Sequence, residues 1–67
     1  MIVLNGRDAD VSPGETVAAV LARLDLQPDA RGVAVAVDGQ VVPRAQWQSF
    51  LLADDARVEV LTAMQGG

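Results

Sequence analysis

Met1-Ile2-Val3-Leu4-Asn5-Gly6-Arg7-Asp8-Ala9-Asp10-Val11 opens the chain, and its reading decides the fold. A short apolar run of strand type meets Asn5-Gly6, a strong signal for a two-residue hairpin turn, whose central residues both need a positive φ. Past the turn, Ala9 and Val11 alternate with Asp8 and Asp10, which makes one face apolar and the other wet. The stretch reads as a β-hairpin over 1–5 and 7–11. A second signal of the same kind lies downstream. Val33-Ala34-Val35-Ala36-Val37 carries three Val on one face and two Ala on the other. Asp38-Gly39 turns it back into Gln40 to Val42, and Pro43, with no N–H to donate, ends the pairing.

Between the two hairpins the period changes. Val17, Val20, Leu21 and Leu24 sit at i, i+3, i+4 and i+7, one apolar stripe of a helix. Thr16 is a good N-cap for a helix from Val17 onward, while Ser12 with Glu15 fits a capping box that starts it one turn earlier. The helix should stop near Asp25, because Pro28 disfavours the helical region for Gln27. Farther on, Trp47, Phe50 and Leu51 are spaced i, i+3, i+4, so a helical turn there presses three large groups onto the core. Asp54-Asp55 reads as a turn. Arg57 to Ala63 reads as the last strand, with Val58 and Val60 on one face and Glu59 and Leu61 on the other. One main helix packed across one mixed sheet of four to five strands is the simplest way to bury a single apolar stripe. Hairpins at both ends with a helix between them describe an α+β architecture of the β-grasp, or ubiquitin-like, kind. In it the first and last strands pair in parallel at the sheet centre. Residues 1–63 form the domain and 64–67 a flexible tail.

Composition removes most chemistry. The chain has 67 residues and 7.0 kDa, which is one domain, with 51% hydrophobic and 21% charged residues, a globular balance. With no Cys it has no disulfide, and with no His either it has no ordinary zinc site. The same absences exclude Ser-His-Asp and Cys-His catalysis, and the absence of Lys excludes a Schiff base and a P-loop. A net charge of −4 argues against nucleic acid and anionic membranes. Phe50 and Trp47 are too few aromatics for a base-stacking platform. Met1 to Asn5 is too short an apolar run for a signal peptide or a membrane span, so the expected location is cytoplasmic.

The body of the chain is poor in candidates. Asp54-Asp55 admits a metal or acid/base pair, but a solvated turn is the simpler reading. Asp8 and Asp10 read as the wet face of an edge strand. Arg44 is a partner contact or a surface charge. Trp47 is an exposed hot spot or core, and its spacing with Phe50 and Leu51 favours core. The unusual feature is Gly66-Gly67, directly after the last strand. With no Cβ, such a tail threads a channel too narrow for any side chain. A free carboxylate is a poor electrophile. Joined to AMP by a partner enzyme, it becomes an acyl-adenylate that a thiolate or persulfide attacks, giving a thioester or a C-terminal thiocarboxylate. The competing reading of a terminal Gly-Gly is a frayed end.

Along essentially its whole length the sequence resembles the ThiS family, the small sulfur carriers of thiamine biosynthesis. The matching pieces are Ile2-Val3-Leu4-Asn5-Gly6, Thr16-Val17 and Val33-Ala34-Val35-Ala36-Val37. They continue with Val42-Pro43-Arg44-Ala45-Gln46-Trp47, Asp55, Arg57-Val58-Glu59-Val60 and Gln65-Gly66-Gly67. Val-Pro-Arg-x-x-Trp is the most specific piece and Gly-Gly the most functional. The family usually has Gly where this chain has Asp54, and often Asn-Gly where it has Asp38-Gly39; Asp tolerates the left-handed region, so the turns survive.

The resemblance implies a carrier that is a substrate of partner enzymes, with no catalytic residue and no cofactor or metal of its own. An adenylating enzyme of the ThiF type, related to ubiquitin-activating enzymes, would use Mg-ATP to adenylate Gly67. A sulfur-relay protein fed by a cysteine desulfurase would convert Gly67 to a thiocarboxylate. Thiazole synthase, ThiG, would take the sulfur. Gly66 and Gln65 would thread the partners' active sites. Met64, Ala63, Leu61 and Glu59 are the residues chosen for partner binding, with Leu61 as simple core the competing reading. Three rivals stand beside this reading. They are a carrier for molybdopterin synthesis, a modifier attached through Gly67 to a target Lys, and a passive interaction module with an inert tail.

Overall fold

Asn5 and Gly6 take φ of 50° and 83°, the left-handed pair that a tight hairpin needs, and fold β1 (Ile2–Leu4) onto β2 (Arg7–Ala9). Asp38 and Gly39 repeat the geometry at 51° and 85°, joining β3 (Val33–Val37) to β4 (Gln40–Val42). Asp therefore serves the second turn as Asn serves the first. At the other position of family departure the left-handed residue is Asp55, at 65°, and not Asp54. The computed structural model describes residues 1–26 and 32–62. Pro28, the strand end at Ala63 and the tail at 64–67 lie outside them.

The sheet has five strands in the order β2-β1-β5-β3-β4, with β5 (Arg57–Thr62) at its centre. β1 runs parallel to β5, and β3 antiparallel to it, as the β-grasp reading expects. Both hairpin strands of the first turn are shorter than 1–5 and 7–11, though Val11 is still buried past the end of β2. The pleat sorts the side chains. Ile2, Val35, Val37, Val42, Val58 and Val60 enter the core from the sheet, and Val17, Val20 and Leu21 meet them from α1 (Val17–Arg23).

The helix is two turns long and starts at Val17, not one turn earlier at the Ser12 signal. Thr16 Oγ1 accepts the Ala19 N–H at 3.1 Å, so Thr16 is the N-cap. Glu15 Oε2 accepts the Ser12 N–H at 2.6 Å, and its carboxylate also meets Arg23 at 3.0 Å. These bonds, the Ser12 N–H first and Arg23 second, hold the Glu15 pKa below the usual carboxylate range. The helix stops before the Pro28 signal. Asp25 takes a φ of 59°, its N–H bonds to the Ala22 carbonyl, and the Leu26 N–H bonds to Leu21. This is a Schellman end with Asp where Gly is usual. Leu24 consequently leaves the stripe and is exposed.

A second correction concerns residues 47–52. Arg44–Gln46 form a single 3-10 turn, Trp47 is buried and Phe50 is half-buried, but Leu51 is exposed and Leu52 fills the core. The chain has left helical geometry by then: Leu51 bridges Thr16 in extended form, and alternation turns Leu52 inward. The loop also closes the helix start, since the Val17 and Ala18 N–H groups donate to the Phe50 and Trp47 carbonyls.

Candidate functional site

The sequence reading expects the reactive group at Gly67, outside the described residues, so the described part of the candidate site is β5. β5 alternates strictly. Val58 and Val60 are buried, while Arg57, Glu59 and Leu61 face away from the helix. Leu61 is 66% exposed, which rules out the core reading. Glu59 is exposed beside it on the same face. Ala63, Met64, Gln65, Gly66 and Gly67 lie outside the described residues.

Cross-strand register builds the rest of this face. Leu61 lies opposite Ala34, Glu59 opposite Ala36, and Ala36 opposite Val41, which is 75% exposed. The bulky side of β3 is spent on the core and its small side faces out, so Leu61 and Val41 stand clear of a floor of alanines. Sequence reasoning does not mark Val41, Ala34 or Ala36 as site residues. The Val/Ala alternation of 33–37 carried the signal. Farther along the face, a groove beside the first turn is lined by Val3, Gly6, Arg57, Val58 and Glu59.

β5 is also fixed at its first residue and at Val60 by side chains from the hairpin turns. Asp38 Oδ1 accepts the Arg57 N–H at 3.0 Å. Asn5 Oδ1 accepts the Val60 N–H at 2.8 Å, and Asn5 Nδ2 donates to the Val60 carbonyl at 3.3 Å. Sequence reading assigned Asn5 to the turn alone; its partner lies 55 positions away, beyond any local pattern.

The remaining candidates resolve plainly. Trp47 is core, 2% exposed, with its indole N–H on the Val42 carbonyl. Arg44 lies over that ring, 5.0 Å from its centroid. Asp54 and Asp55 are an exposed turn that receives the Met1 ammonium, at 2.7 Å and 3.0 Å. The contact raises the ammonium pKa, chiefly through Asp54, and lowers that of Asp54. Among the described residues no group of three or more His, Cys, Asp or Glu is placed to hold a metal ion. No described helix is long and apolar enough to cross a membrane.

A model of the ThiS family matches residues 2–67, through Gly66-Gly67. The chain belongs to the ThiS family. It is 30% identical over 66 residues to the sulfur carrier protein ThiS of Escherichia coli (strain K12), covering 98% of this chain and 97% of that one. The crystal structure of a ThiS thiamine biosynthesis protein from Geobacter metallireducens superposes with a TM-score of 0.74 at 28% identity, covering 98% of this chain and 97% of that one. The solution structure of a thiamine biosynthesis protein from the same organism gives 0.77 at 28% identity, over 98% and 86% of the two chains. The β-grasp fold is thus common to this chain and solved ThiS structures.

Proposed function

We propose that this ThiS-family chain is the sulfur carrier of thiamine biosynthesis and bears its sulfur on the carboxyl group of Gly67. The observation that carries the reading is the family match running to residue 67, on a chain whose sequence supplies the Gly-Gly end. On the adenylating enzyme, a Gly67 carboxylate oxygen attacks the α-phosphorus of Mg-ATP and pyrophosphate leaves. A relay protein's persulfide, loaded by a cysteine desulfurase, attacks the acyl carbon and AMP leaves. A second thiol attacks the relay cysteine's own sulfur in the resulting acyl disulfide; the S–S bond breaks, the thiocarboxylate leaves with the transferred sulfur, and the relay is left as a disulfide. Thiazole synthase then consumes the thiocarboxylate. The chain itself catalyses nothing. ATP and Mg are bound and used by the partner, and the cytoplasm is the location this reading expects.

What this chain contributes is a rigid platform and a reach. The platform is the open face at the end of β5, where Leu61, Val41 and the alanines offer an apolar patch with Glu59 at its side. Gln65 and Gly66 would enter the partner's active site, with Gly66 adding no side-chain bulk. The test is thiazole formation in a reconstituted mixture with and without Gly67. The carrier reading expects deletion of Gly67 to abolish the product. Full product from the truncated chain would leave only the passive module.

A further inference from the structure

β5 has two neighbours along its first half and one strand neighbour along its second. β1 pairs with it only at Arg57 and Val58, while β3 follows it to Thr62. In a regular parallel ladder the bonds alternate up the strand. Here Val3 N–H reaches the Ala56 carbonyl and Asn5 N–H reaches the Val58 carbonyl. The next bond would run from Val60 N–H to the Asn5 carbonyl, and the one after from residue 7 N–H to the Val60 carbonyl. Neither can form, because Asn5 turns to a φ of 50° and takes the chain into the hairpin. The Asn5 carboxamide stands in for both. Its oxygen takes the Val60 N–H and its NH₂ gives to the Val60 carbonyl. One donor and one acceptor on Val60 also fix which end of the amide points where.

We propose that Asn5 is a positioning residue for the sulfur-carrying terminus: its carboxamide continues the sheet past β1, clamps Val60, and so sets the direction in which the chain departs toward Gly67. The proposal rests on the carrier reading. Partner docking would use the open face, which Asn5 does not form. The clamp therefore acts after docking, on the fraction of complexes whose tail is aimed into the active site, and a small misplacement of a reacting group is expensive in rate.

The residue type separates this role from the turn. Gly satisfies the positive φ and supplies no amide, while Asp satisfies the φ, keeps the acceptor and sets a carboxylate oxygen against the Val60 carbonyl. Asp38 supplies the control, since it holds the same turn geometry and bonds the opposite end of β5, away from the tail. The experiment measures initial rates of adenylation for the full chain with its adenylating enzyme, well below the melting temperature. Amide hydrogen exchange at Val60 is measured in parallel. For Asn5→Gly and Asn5→Asp we expect kcat to fall by about tenfold with KM within about twofold, and Val60 protection to drop in Asn5→Gly. Asp38→Gly should lower the melting temperature comparably and leave kcat unchanged. Equal kcat for the two Asn5 variants and wild type, or equal losses in Asn5→Gly and Asp38→Gly, overturns the clamp while leaving the carrier intact. Failure to adenylate the wild-type chain, with an enzyme active on another carrier, overturns both.

Discussion

The indole N–H of Trp47 donates to the backbone carbonyl of Val42 across 2.9 Å. That bond explains the spacing Val-Pro-Arg-x-x-Trp. β4 ends at Val42, Pro43 cannot continue the ladder, and the 3-10 turn Arg44–Gln46 carries the chain back so that Trp47 lies beneath the strand it has just left. Arg44 then covers the ring from outside. Trp47→Phe keeps most of the apolar volume and removes the donor, so it should cost about 2–3 kcal/mol. Urea unfolding followed by far-UV circular dichroism measures it. A loss under about 0.5 kcal/mol would mean the bond is incidental.

Glu15 makes stability depend on pH. Its pKa is lowered in the folded chain, so its contribution is present above the ordinary carboxylate pKa and disappears as pH falls through the folded value. Glu15→Gln should lower the melting temperature near about pH 7 and approach the wild type near about pH 3. A constant gap between the two curves across that range would remove the ionised carboxylate as the cause.

Asp25 closes the helix at a φ of 59°, a conformation that Gly adopts without strain. Asp25→Gly should therefore stabilise the chain by about 0.5–1 kcal/mol, several degrees in melting temperature for so small a domain. No gain in a thermal melt would show that the carboxylate contributes more at this position than the left-handed backbone costs.

Leu61 tests the open face. It is exposed, so Leu61→Asp should shift stability by no more than about 0.5 kcal/mol. If Leu61 is buried on docking, losing that burial should raise KM for the adenylating enzyme by about tenfold or more. An unchanged KM would move the docking surface elsewhere on the molecule.

Both hairpins were legible because each turn is written in two adjacent residues, Asn5-Gly6 and Asp38-Gly39, flanked by alternating strands. The outward face of Leu61 and Glu59 was legible for the same reason: alternation with Val58 and Val60 is local. One cause and two features were not. The helix ends near Asp25, where the sequence reading puts it, but not for the visible reason: Asp25 takes a glycine's place, while Pro28 lies farther on. The spacing of Trp47, Phe50 and Leu51 looks helical, yet the bridge between Leu51 and Thr16 turns Leu52 inward in place of Leu51. The Asn5–Val60 clamp joins residues that only the finished sheet brings together. At the site itself, Gly66-Gly67 carries the functional reading as a motif, while β4 is too short for its alternation to mark Val41.

The most direct test of the account is the intact mass of the chain after incubation with Mg-ATP, its adenylating enzyme and a sulfide source. The account predicts a gain equal to sulfur minus oxygen, localised to Gly67 and absent without ATP. An unchanged mass, with an enzyme shown to be active on another carrier, would contradict it.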